Sequence, residues 1–107
     1  HHNKKLDSPS GTANSLLETV QTSLSNRRTV EYGRNGMRKR EQQEIGMHSL
    51  RGGTIVGEHS VIFAGEDEII EIKHIAASKK VFAKGAIRAA QFLEQQAAGL
   101  YDMEEAV

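Results

Sequence analysis

Three observations predict an α+β domain over residues 1–107, with two helices on one face of a mainly antiparallel or mixed sheet of about four strands. Apolar residues recur at helical spacing near both ends of the chain, strand-like runs separated by turn residues fill the middle, and the central run is apolar on both faces. A chain of 107 residues is long enough to bury a core and short enough to be one domain.

The first helix is expected to start at Ser10. Pro9 fixes its own φ and favours an extended Ser8, Ser10 is a good N-cap, and Ala13, Leu16, Leu17, Val20 and Leu24 make one apolar stripe as far as about Asn26. Thr29–Tyr32 is a short β-prone piece. The polar stretch to Gln43, with Arg34, Arg38, Lys39 and Arg40, reads as a solvated, mobile loop, because nearby glutamates offset its charge and no aromatic is interleaved.

Three runs follow, Ile45–Arg51, Thr54–Ala64 and Glu68–Ala76, and the turns at Gly52-Gly53 and Gly65-Glu66-Asp67 would close them into an antiparallel meander. Alternation along the middle run puts Ile55, Gly57, His59, Val61 and Phe63 on one face and Val56, Glu58, Ser60, Ile62 and Ala64 on the other. A sheet wet on one side would alternate more cleanly, so one face is expected under helices and the other against another subunit or domain. The second helix carries Phe82, Ala86, Ala89, Ala90, Leu93 and Ala97, and Gly99 would end it.

The chemistry concentrates at the beginning, in His1-His2-Asn3-Lys4-Lys5-Leu6-Asp7-Ser8-Pro9-Ser10-Gly11-Thr12-Ala13. The first N–H groups of a helix have no intrahelical acceptor and sit at the positive end of its dipole, so Gly11 and Thr12 offer amides to an anion, and the Thr12 hydroxyl adds a donor. Lys5 and a histidine would meet the same anion if the loop folds back. The residues by themselves reach a carboxylate or phosphate pocket with acid/base groups, or an ordinary loop-to-helix junction.

The run His1-His2-x-x-Lys5-x-Asp7-x-Pro9-Ser10-Gly11-Thr12-Ala13 resembles the signature segment of the dihydrodipicolinate reductases, nicotinamide-dependent enzymes of the diaminopimelate route to lysine. A second block, Ile45-Gly46-Met47-His48-Ser49-Leu50-Arg51-Gly52-Gly53-Thr54-Ile55-Val56-Gly57-Glu58-His59, is similar to another recurrent segment of that family, as are Glu71-x-x-His74-x-Ala76 and the terminal Gly99-Leu100-Tyr101-Asp102-Met103. The resemblance implies a substrate-binding and tetramerising C-terminal domain whose exposed sheet face joins other subunits in a homotetramer. It implies His1 as proton donor, Lys5 as catalytic cation, and His2, Lys5, Gly11 and Thr12 as the groups that hold a dicarboxylate. It also implies Lys79 and Phe82 near an NADH or NADPH cofactor. A tail from Gly99 to Val107 would return toward the nucleotide-binding domain.

Composition and motifs bound the alternatives. Fourteen basic residues balance fourteen acidic ones and aromatics are 5%, so neither general affinity for nucleic acid nor affinity for a membrane surface is indicated. No apolar run approaches the roughly 20 residues of a membrane span. Cysteine is absent, which suits a cytoplasmic protein and excludes thiolate metal sites. His48, His59 and His74 fall on expected strands without helical His-x-x-x-His spacing, so they are expected to be packed or hydrogen-bonded, with no metal. Arg51 is expected either to reach substrate or to sit in a plain hairpin turn. No Gly-x-Gly-x-x-Gly occurs, so the dinucleotide-binding unit is expected to be missing and the chain alone to be inactive. The competing expectation is a stand-alone dicarboxylate-binding or structural oligomerisation module.

Overall fold

In the computed structural model, which describes residues 1–107, helix α1 runs Gly11–Thr22 and is capped by Ser10. The Ser10 backbone is extended, its hydroxyl accepts from the Ala13 N–H at 3.1 Å, and its carbonyl accepts from the Asn14 N–H at 3.0 Å. The helix stops four residues short of the expected Asn26. Thr22 and Ser23 hydroxyls donate to the carbonyls of Glu18 and Thr19, and such local bonds compete with helix continuation. Beyond the end, the buried Gln21 amide grips the Arg28 backbone at both its N–H and its carbonyl, each at 2.8 Å. That clamp delivers the chain to the first strand.

Strand β1 (Thr29–Tyr32) pairs in parallel with β2 (Glu44–Met47), Thr29 opposite Glu44 and Tyr32 opposite Met47. Strands β3 (Gly57–Ala64) and β4 (Ile69–Ala76) form a second ribbon. The Gly65 N–H donates to the Glu68 carbonyl at 2.9 Å, and so short a connection permits only an antiparallel pair. The class is therefore α+β, but the four strands form two two-stranded ribbons and not one sheet.

The Ile45–Arg51 run ends as a strand at Met47, and Gly52-Gly53 does not close a hairpin onto β3. Those glycines pair instead with the start of the chain: Gly52 N–H donates to the His1 carbonyl at 3.0 Å and Asn3 N–H to the Gly53 carbonyl at 3.1 Å. A loop whose backbone groups serve a third segment cannot also be a tight two-residue turn.

The arginine-rich loop between β1 and β2 is exposed but tied. Arg34 and Arg38 meet the buried Glu44 carboxylate, Arg38 also pairs with Glu31 at 2.7 Å, and Arg40 donates to the Glu44 carbonyl. Three guanidinium groups on one residue offset the desolvation of its charge.

The chain forms two compact units, His1–Ile75 and Ala76–Val107. In the second, α2 (Lys80–Leu93) packs against the short α3 (Met103–Ala106), which carries a capping box between Asp102 and Glu105. Tyr101 closes this unit, its ring edge-on to Phe92 at 5.6 Å and its hydroxyl donating to the Ala97 carbonyl at 2.8 Å. The α2 stripe expected in a core is solvent-facing, Phe82 and Leu93 being about half exposed.

In the first unit α1 packs on β3, and its stripe lines a cavity of about 680 Å³ with Ile45, Val61 and Phe63. Ile62, Ile69, Ile70, Ile72 and Ile75 are all exposed, and Ala76, the first residue of the second unit, is the one hydrophobic side chain that is buried. No helix is long and apolar enough to cross a membrane.

Candidate functional site

The opening stretch is tied by three anchors to the loop that precedes β3. His1 donates its backbone nitrogen to the Leu50 carbonyl at 3.0 Å, Gly52 and Gly53 pair with His1 and Asn3, and Arg51 donates to the Asp7 carbonyl at 2.8 Å. Arg51 also bonds the Leu50 carbonyl at 2.7 Å. Its two terminal nitrogens thus stitch the loop to the opening stretch, which settles its part here as a clamp and not a plain turn residue.

His1 lies against β3. Its ring meets His59 edge-on at a centroid distance of 5.0 Å. A Cβ at Gly57 would stand 3.3 Å from His1 Nε2, so a side chain there would crowd the ring and shift it by a few tenths of an ångström. His59 Nε2 in turn lies 3.0 Å from the Ser10 hydroxyl that caps α1. Burial, followed by repulsion from His74, Arg51 and Lys5, lowers the His59 pKa below its ordinary value. His59 is hydrogen-bonded, as expected of the strand histidines.

The helix start is open to an anion. Ser10 takes the Ala13 and Asn14 N–H groups, and the amides of Gly11 and Thr12, both exposed, have no intrahelical acceptor. His2 Nδ1 accepts from the Lys4 N–H at 3.2 Å, which leaves its Nε2 to carry the proton of a neutral ring. Lys5 is half-buried and its ammonium sits 2.7 Å from the Asp7 carboxylate. That hydrogen bond is the main cause of a lowered Asp7 pKa.

Every expected substrate residue, His1, His2, Lys5, Gly11 and Thr12, therefore belongs to the first unit, and none lines the apolar cavity beneath α1. Lys79 and Phe82 belong to the second unit, where Lys79 precedes α2 without capping it and Phe82 is exposed. Three supporting residues escaped sequence reasoning. Gln21 and Glu44 are polar residues at positions the pattern gave to solvent, and Asp7 was seen only as a motif position. Glu44 had one available signal, the arginines at 34, 38 and 40 that precede it.

The residues do not fit a nicotinamide dinucleotide. Such a cofactor needs a glycine-rich strand-to-helix turn, and β1 and β2 are joined by a loop without a helix, while no glycine cluster opens α1 or α2. No group of three His, Asp or Glu side chains is placed to hold a metal ion.

Residues 1–107 match the family described as dihydrodipicolinate reductase, C-terminus. The chain is 57% identical over 105 residues to the 4-hydroxy-tetrahydrodipicolinate reductase of Brachyspira hyodysenteriae, covering 98% of this chain and 46% of that protein. It is 61% identical over 104 residues to the enzyme of that name from Exiguobacterium sibiricum, with 97% and 42% covered, and 51% identical over 107 residues to that of Clostridium novyi, with 100% and 42% covered. The chain spans less than half the length of these relatives.

Proposed function

We propose that this chain, which belongs to the dihydrodipicolinate reductase C-terminus family, supplies the substrate side of a reductase active site in a longer protein. The reaction is reduction of 4-hydroxytetrahydrodipicolinate to tetrahydrodipicolinate, the 4-hydroxyl leaving as water and the resulting unsaturated ring taking up hydride and a proton, in lysine and diaminopimelate biosynthesis, the name its relatives carry supporting the assignment. One geometric observation carries the reading: His1–Asp7 is tied to the Leu50–Gly53 loop with the His1 ring against β3, and the α1 start, whose cap Ser10 bonds His59 of that strand, has two unclaimed amides. A dicarboxylate would be held by Lys5, His2, the Gly11 and Thr12 amides and the Thr12 hydroxyl, with charge-assisted bonds as the main source of affinity. His1 would deliver a proton to the ring carbon next to the one reduced, a task suited to imidazole near neutral pH. Developing negative charge on the substrate would be met by Lys5 and the helix amides.

NADH or NADPH, the source of hydride, is assigned mainly to the rest of the longer protein, since this chain builds no dinucleotide cradle. Lys79 and Phe82 remain as contacts proposed on family resemblance. The single-domain reading of residues 1–107 is proposed for the assembled protein, with the exposed ribbon faces and edges covered in a homotetramer. The row of uncovered isoleucines on β3 and β4 supports that assembly. The proposed setting is the cytoplasm.

Titration of the full-length protein with pyridine-2,6-dicarboxylate tests the pocket. Binding that weakens by about tenfold or more in Lys5→Ala is expected. A full-length protein that binds no dicarboxylate removes the assignment. Light scattering on the same sample tests the assembly, and a monodisperse monomer contradicts it.

A further inference from the structure

We propose that the face of β3 formed by Gly57 and His59 is a platform that sets both halves of the substrate site, with His59 as its positioning residue. The inference rests on the reading of His1 as proton donor. Gly57 and His59 are two residues apart on one strand, so they present to the same side. Both meet His1: a side chain at Gly57 would crowd its ring, and His59 forms an edge-to-face pair with it at 5.0 Å and an interplanar angle of 69°. His59 Nε2 also holds the buried Ser10 hydroxyl at 3.0 Å, while that oxygen accepts from the Ala13 N–H. One imidazole thus fixes the acid through its edge and the anion-binding helix start through its nitrogen.

The two contacts use different parts of the ring, so different substitutions separate them. Glutamine can place a polar atom near Ser10 and has no aromatic edge, whereas phenylalanine keeps the edge and loses the hydrogen bond. A side chain that merely filled space would not divide its effect in this way.

The experiment is steady-state kinetics of the full-length reductase with its dihydrodipicolinate-class substrate, alongside thermal melting of each variant. In His59→Gln, kcat should fall by about tenfold with KM nearly unchanged, because the acid is misplaced while the pocket persists. In His59→Phe, KM should rise by about fivefold with kcat nearly unchanged, the scale of a weakened helix cap. Gly57→Ala should repeat the first pattern and Ser10→Ala the second, which keeps the test open if a His59 variant does not fold. Equal changes in both constants across the variants, or no change, would overturn the platform while leaving the donor reading intact. His1→Ala separates the two: turnover reduced by about a hundredfold or more supports His1 as donor, and retained turnover overturns that reading and the platform's catalytic part with it.

Discussion

The Lys5 ammonium and the Asp7 carboxylate stand 2.7 Å apart, so the cation proposed to hold substrate already has an anionic partner. A substrate carboxylate must take the place of Asp7 or share Lys5 with it. Lys5→Ala and Asp7→Asn are therefore expected to act in opposite directions. Calorimetric titration of the full-length protein with pyridine-2,6-dicarboxylate should show weaker binding in the first and binding tighter by no more than about fivefold in the second, since an exposed pair is weak and salt-screened. Weaker binding in Asp7→Asn would make Asp7 an organiser of Lys5 and not its competitor.

The His59 pKa is lowered on folding, and the sign of the resulting pH dependence follows. The unfolded chain takes up the proton more readily, so the stabilising contribution is complete above the ordinary value near 6.5 and is lost as pH falls through the folded pKa. His74, Arg51 and Lys5 all act on this imidazole in the same direction. Melting temperature should drop between pH 8 and pH 5 by more in the native protein than in His59→Gln. Parallel curves would show that His59 does not carry the effect.

Glu44 is 3% exposed and faces Arg34 and Arg38, while its own carbonyl receives Arg40. Replacing it by Gln leaves Arg34 without its counter-charge and Arg38 with Glu31 alone. Denaturant unfolding of Glu44→Gln should show a loss of about 3 kcal/mol, the scale of breaking a buried pair from one side. Proteolysis at Arg38 to Arg40 should accelerate in the same variant, because the loop loses its ion pairs to Glu44 and is held less firmly.

Gln21→Ala removes two hydrogen bonds to the Arg28 backbone from a residue 3% exposed. A destabilisation of about 2 kcal/mol is expected, and amide hydrogen exchange at Arg28 and along β1 should speed up while exchange at the α1 start stays slow. Uniform acceleration across α1 would assign Gln21 to the helix itself.

Much of this was legible from side-chain pattern. Ser10 as cap, the stripe from Ala13 to Leu24 and the second ribbon closed at Gly65 all follow from local chemistry, and the structure has them there. The failures share one physical cause. The single sheet and the Gly52-Gly53 hairpin were expected from neighbouring runs, but strand pairing is decided by which backbone groups find partners, and here a distant segment took them. The parallel register of β1 and β2 is equally non-local. Gln21 and Glu44 were invisible because a polar side chain is buried for the partner it finds, and the partner lies in another segment. At the site, residue types were legible and their support was not: nothing in the spacing links His59 to Ser10 or Arg51 to Asp7.

Those anchors span most of the first unit. His1 to Leu50 and Ser10 to His59 each join residues 49 positions apart, and Arg51 to Asp7 joins residues 44 apart. Closing loops of that length carries an entropic penalty that only later contacts repay. Refolding should therefore recover helical signal well before ligand binding, and a nascent chain truncated before Leu50 would carry every residue proposed to hold substrate yet have none of the anchors that place them.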